Sequence, residues 1–102
     1  MKIAELNDRF RQTMMGGKVL ITPGVRDVFQ GVNLSRLMMK ISEQTHFDED
    51  TPEHDFGVVQ QNGRKAFWKI DYYDDTMEYG SPDPSDPTVT TRVMTVMLPS
   101  EY

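Results

Sequence analysis

Apolar residues recur at three- and four-residue steps at the start of the chain. Ile3, Leu6, Phe10 and Met14 would share one face, which predicts an amphipathic helix from residue 2 to about 14. Gly16-Gly17 is read as its stop, and Lys18-Val19-Leu20-Ile21-Thr22 as a short buried strand. Thr22-Pro23 offers an N-cap followed by proline at the first helical position. Val25, Val28, Phe29 and Val32 then support one or two helical turns. Leu34, Leu37, Met38 and Ile41 place a further helix over about 34–46, and 48–54 reads as an acidic loop carrying Pro52.

The local pattern is sharpest in the centre. Residues 55–61 and 64–73 are strand-like runs separated by Asn62-Gly63, the pair that a type I′ turn favours because both positions need positive φ. Alternation along the second run puts Ala66, Trp68, Ile70 and Tyr72 on an apolar face, with Phe67, Lys69, Asp71 and Tyr73 on the wetter one. Residues 74–87 form a proline-rich connector. Asp86-Pro87 repeats the cap-plus-proline signature, and Val89, Val93, Val96 and Met97 fall on one helical face, so 87–98 is read as a helix. The sum is a single α+β domain over 1–102: a small, largely antiparallel sheet with a central β-hairpin, packed against two to four helices.

Composition sharpens this picture in two ways. The 102 residues include no cysteine, which removes disulfides, thiolate nucleophiles and cysteine-ligated metal centres. With no apolar signal-peptide core and no membrane-length run, the expectation is a soluble, cytoplasmic protein without membrane contact. The net charge of -5 also conceals an asymmetry. Residues 1–47 carry seven Lys/Arg against four Asp/Glu, a net +3, whereas 48–86 carry three against eleven, a net -8. An acidic segment of that density repels phosphate backbones and attracts basic proteins, so direct nucleic-acid binding is not expected.

The chemistry-bearing residues do not form a known reaction pattern. His46, Asp48, Asp50, His54 and Asp55, with Asp71, Asp74 and Asp75, could supply metal ligands, yet their spacing matches no EF-hand, HExxH or Cys/His signature. An acid–base enzyme centred on His54, Asp55, Lys69 and Asp71 is the alternative reading, with Ser81 or Tyr73 as nucleophile or acid. No catalytic residue, metal ligand or cofactor is assigned. The preferred reading is a binding module: Asp48, Glu49, Asp50, Asp74, Asp75 and Glu78 form an acidic face, Tyr73 and Tyr79 anchor it, and the partner is a protein with a basic surface.

Four runs carry a family likeness: Glu53-His54-Asp55-Phe56-Gly57, residues 67–74 (FWKIDYYD), residues 79–84 (YGSPDP) and residues 92–98 (RVMTVML). Together they resemble an uncharacterised family of short alphaproteobacterial proteins, domain-of-unknown-function family 3768. The likeness extends to the Ile3–Phe10 and Lys18–Gly24 segments and is weakest over 25–52. It implies a context of accessory genes on plasmids and phages as well as chromosomes, and no activity. By analogy of size and charge, that context makes an inhibitor of anti-CRISPR or antirestriction type the finer form of the binding-module expectation.

Overall fold

A computed structural model describes residues 2–102. Its centre is the hairpin of β2 (Phe56–Gln61) and β3 (Arg64–Tyr73), paired antiparallel from Phe56↔Lys69 to Gln61↔Arg64. Asn62 and Gly63 have φ of 54° and 77°, the left-handed pair that the turn requires. On its other edge β3 pairs antiparallel with β4 (Thr91–Met97), from Phe67↔Met97 to Tyr73↔Thr91. β1 (Gly17–Ile21) runs parallel to β4, which gives a four-stranded sheet in the order β1-β4-β3-β2.

Three helices, α1 (Ile3–Thr13), α2 (Pro23–Val28) and α3 (Val32–Glu43), lie with Phe29 between the second and third, and this half of the chain supplies Phe10, Val25, Phe29, Leu37 and Ile41 to one core. The sheet contributes Val59, Ala66, Trp68, Ile70, Met94 and Val96, so the helices cover a single face. The expected α+β class, the largely antiparallel sheet and the apolar face of β3 are all present. Thr22 caps α2 by accepting from Val25 N–H, with Pro23 at the first position, as the sequence predicts.

Residues 87–98 depart from expectation: they form β4, not a helix. This strand lies between β1 and β3 and is covered on both faces, since Arg92, Val93, Met94, Val96 and Met97 are all buried. A strand buried twice reads as a continuous apolar run, and its valines happened also to fit a helical stripe. The Asp86-Pro87 signal caps a turn instead, as the Asp86 carboxylate accepts from Thr88 N–H and Oγ–H. Two smaller differences concern the first half. α1 ends at Met14, itself left-handed at φ 57°, and not at the glycines. β1 is an edge strand whose Leu20 is exposed, where a buried strand was expected.

Trp68 is the hub of the core and has no exposed surface. Its Nε1–H donates to Gln44 Oε1 at 3.0 Å, which satisfies the one polar atom of the ring. The indole fits because its cross-strand partner is Gly57, where an added Cβ would stand 2.5 Å from Trp68 Cε2.

Two measurements test this architecture. Gly63→Val places a β-branched residue at positive φ and is expected to lower stability by about 1–3 kcal/mol in urea titration. Trp68 is the only tryptophan, so its emission reports directly on the core: blue-shifted and shielded from iodide in the native protein. Trp68→Ala is expected to cost about 3–5 kcal/mol.

Candidate functional site

One turn of α1 carries Asn7, Asp8 and Arg11, and it faces the core with polar groups where a simple amphipathic helix would present aliphatic ones. Asn7 is completely buried. Its Nδ2 donates to the Glu53 carbonyl at 2.9 Å and to the Tyr72 hydroxyl at 2.7 Å. Its Oδ1 accepts from Arg92 Nε at 2.7 Å. The Tyr72 hydroxyl directs its own proton toward Asp55 Oδ2 at 3.4 Å. Arg92, 4% exposed, also donates to the Pro84 carbonyl and lies over the Tyr72 ring at 5.3 Å.

A second cluster begins at the next residue. Asp8 Oδ1 accepts from Arg11 at 2.8 Å and meets His54 Nδ1 at 2.9 Å. Arg11 is buried, and it donates to the Ile41 and Ser42 carbonyls at the C-terminal end of α3, where a cation opposes the helix dipole. Its guanidinium lies over the rings of Phe47 at 5.1 Å and Trp68 at 5.6 Å. Phe47 in turn stacks on the His54 imidazole, 4.0 Å between centroids and 7° between planes. His54 itself is held left-handed at φ 57°.

These contacts locate the sequence motifs. Glu53, His54 and Asp55, then Tyr72, then Pro84, then Arg92 come from four separate runs and gather around one turn of α1. The arrangement also bears on the acid–base alternative. His54 and Asp55 reach toward α1 and Tyr72, on the helix side of the sheet. Lys69 and Asp71 pair with each other at 3.2 Å on the opposite side, as their position in β3 dictates. Asp55, Lys69 and Asp71 line one open cleft with Thr51 and Tyr102, but His54 is turned to Asp8 and Phe47, so the four residues do not converge on one point. Ser81 is engaged in its own loop, with its hydroxyl 2.7 Å from Thr90 Oγ1 and accepting from Asp83 N–H. Among the described residues no three His, Asp or Glu side chains gather as a metal site would need.

The predicted partner-binding residues fall in two segments: Asp48, Glu49 and Asp50 in the loop before β2, with Asp48 beside Phe56 and Val58, and Tyr73, Asp74, Asp75, Glu78 and Tyr79 at and after the end of β3. Register places the segment before Phe56 alongside the end of β3, and the 74–80 turn leaves from the same end. Asp48, Glu49, Asp50, Asp75, Glu78 and Tyr79 are exposed or nearly so, and Tyr73 is half-buried. Asp74 instead holds its own turn together. Its Oδ1 accepts from Thr76 Oγ–H and from the Glu78 and Tyr79 amides, bonds that keep its carboxyl below its usual range. Sequence reasoning missed Asn7 and Arg11, and marked Arg92 only as part of a family motif, with no role. The polar residues interrupting the Ile3–Phe10 stripe were the available signal.

The profile of a family described as Protein of unknown function (DUF3768) matches residues 21–101, and the chain belongs to that family. No curated protein and no solved structure matches the chain.

Asn7→Ala would leave Arg92 Nε and the Glu53 carbonyl without their partner, and the expected loss of stability is about 2–4 kcal/mol by chemical denaturation. Desolvation, reinforced by the nearby Asp55 and Glu53 charges and opposed by the Asn7 bond, pushes the Tyr72 phenol up to about 12. A raised pKa in the folded state means that its contribution to stability is complete below pH about 10 and is lost as pH climbs toward 12. Tyrosinate absorbance should accordingly show one of the four tyrosines titrating late, and Tyr72→Phe should abolish that step.

Proposed function

We propose that this member of the family is a non-enzymatic docking module whose acidic sheet end engages a basic surface on a protein partner. The observation that carries the reading is an imbalance of pairing. Of the eleven carboxylates in 48–86, only Asp71 has a cationic partner among the described residues. Arg11 and Arg92 are buried on other partners, and neither pairs with these carboxylates. Asp48, Glu49, Asp50, Asp75 and Glu78 stand in solvent without a cationic partner among the described residues. Tyr79, 70% exposed among these acids, is a suitable aromatic anchor.

In its finer form the partner handles nucleic acid, and the carboxylates occupy the places that backbone phosphates would take. The chain would then act as an inhibitor of anti-CRISPR or antirestriction type. Small size, the -8 segment and the lack of a convergent catalytic set among the described residues support this form by analogy. The pairing of His54 with Asp8, away from the cleft that Asp55, Lys69 and Asp71 share, favours docking over the acid–base alternative.

The test is affinity purification at low and high salt, comparing wild type with Asp75→Lys/Glu78→Lys. This pair is chosen because Asp74 is needed for its turn. The Debye length falls from about 10 Å at 0.1 M to about 3 Å at 1 M, so a field-steered partner should be released as salt rises. The double reversal should slow association about 10-fold or more while leaving the melting temperature unchanged. Duplex DNA should compete for the captured partner if it handles nucleic acid. Identical recovery by both proteins at both salts would sink the docking reading.

A further inference from the structure

Arg92 and Arg11 are both buried, but they are treated differently by the fold. Arg11 has a carboxylate, Asp8, at 2.8 Å. Arg92 makes no ion pair among the described residues; its partners are neutral, an amide oxygen, a peptide carbonyl and an aromatic face. Burial therefore works against its charged form and lowers its pKa, although an arginine stays protonated at neutral pH.

Carboxylates were available to neutralise it. The 81–90 loop that delivers the Pro84 carbonyl also carries Asp83 and Asp86. Both are committed to the loop itself: Asp83 Oδ1 accepts from Ser85 N–H and Oγ–H, and Asp86 Oδ1 from Thr88 N–H and Oγ–H. The guanidinium meanwhile lines a cleft of about 210 Å³ between α1 and this loop, together with Arg9, Thr90 and Gly16, rimmed by Leu6 and Met15. Of its three nitrogens, Nε and one terminal nitrogen make hydrogen bonds, which leaves the second terminal nitrogen with donors to spare. Among the described residues that nitrogen makes no hydrogen bond and is not a sealed, unsatisfied donor, and Arg92 lines the cleft.

We propose that the cleft between Arg9 and Arg92 binds a small oxyanion, a carboxylate or a phosphate, which supplies the counter-charge that the fold withholds from Arg92. A planar guanidinium held rigid by Asn7 and Pro84 presents a fork suited to such a group, and Arg9 supplies the second cation. The Thr90 hydroxyl is committed to the Asp83 carbonyl, so the site recognises the ligand through the two arginines. This site is separate from the acidic end proposed for docking and does not depend on it.

The probes are inorganic phosphate, acetate and chloride at matched ionic strength. The readouts are the Arg92 Nε–H resonance in proton–nitrogen spectra and the melting temperature. Phosphate, acetate or both should shift that resonance saturably and raise the melting temperature, and chloride should do neither. Saturation by phosphate alone would make the ligand class a phosphate, and saturation by acetate alone a carboxylate. Arg9→Gln, a change outside the core that keeps the fold, should weaken binding about tenfold. Arg92→Lys, which retains charge but loses the fork, should weaken it further in whatever fraction folds. The proposal is overturned if neither oxyanion shifts the resonance differently from chloride, or if Arg9→Gln binds as tightly as wild type.

Discussion

Asn7 is the joint on which the other segments close. A fully buried amide has to meet its hydrogen-bonding demand from within the protein, and here it does so with three partners from three different parts of the chain. The 51–55 loop is tied through the Glu53 carbonyl, β3 through the Tyr72 hydroxyl, and β4 through Arg92. Arg92 extends the tie to the proline-rich loop at Pro84. An unsatisfied buried polar atom costs far more than a satisfied one gains, so each segment has one position that completes the network and many that leave it open. This is how long connectors without regular structure acquire fixed places in a domain of 102 residues. The apolar core around Trp68 provides cohesion, and the polar joint provides register between pieces that the sheet does not pair.

The same construction shapes the electrostatics. Arg11 and Arg92 are largely buried and spend their donors on the fold rather than on the exposed carboxylates. Cation–π contacts with Phe47, Trp68 and Tyr72, together with backbone carbonyls at the end of α3 and at Pro84, replace the water that these groups lose. A fold that hides its positive charges while exposing Asp48, Glu49, Asp50, Asp75 and Glu78 keeps a long-range field that internal pairing would have cancelled.

Much of the architecture could be read from local signals. The Asn62-Gly63 turn, the two faces of β3 and the Thr22-Pro23 start of α2 each follow from steric demands confined to a few residues, and each is present. β4 could not be read that way. Its identity depends on neighbours on both sides, contributed by residues about 75 and about 25 positions away in the ladder, and a twice-covered strand loses the alternation by which strands announce themselves. The candidate site was legible in part. The exposure of the 48–50 and 75–79 carboxylates follows from loop composition, whereas the turn-holding role of Asp74 depends on amides that only the folded backbone presents. Glu53-His54-Asp55, Tyr72, Pro84 and Arg92 stood out as motif residues, but Asn7, where they meet, was marked only by its place as a polar residue within the Ile3–Phe10 stripe.

Strand alternation finally separates the roles along β3. Successive residues point to opposite faces, so the run that packs Trp68, Ile70 and Tyr72 against the helices necessarily turns Lys69, Asp71 and Tyr73 away from them. Of the residues of an acid–base set, Asp55 shares a cleft with Lys69 and Asp71, while His54 is drawn off to Asp8 on α1. The sheet offers two surfaces. On the helix side, polar residues hold loops in place, with Arg92 lining a cleft beside Arg9. On the other, Phe56, Phe67 and Tyr102 pack edge to face within 5.8 Å beside the Lys69–Asp71 pair, and the last residue is thereby pinned to the sheet. What remains free of internal duty is the rim of carboxylates at the end of the sheet.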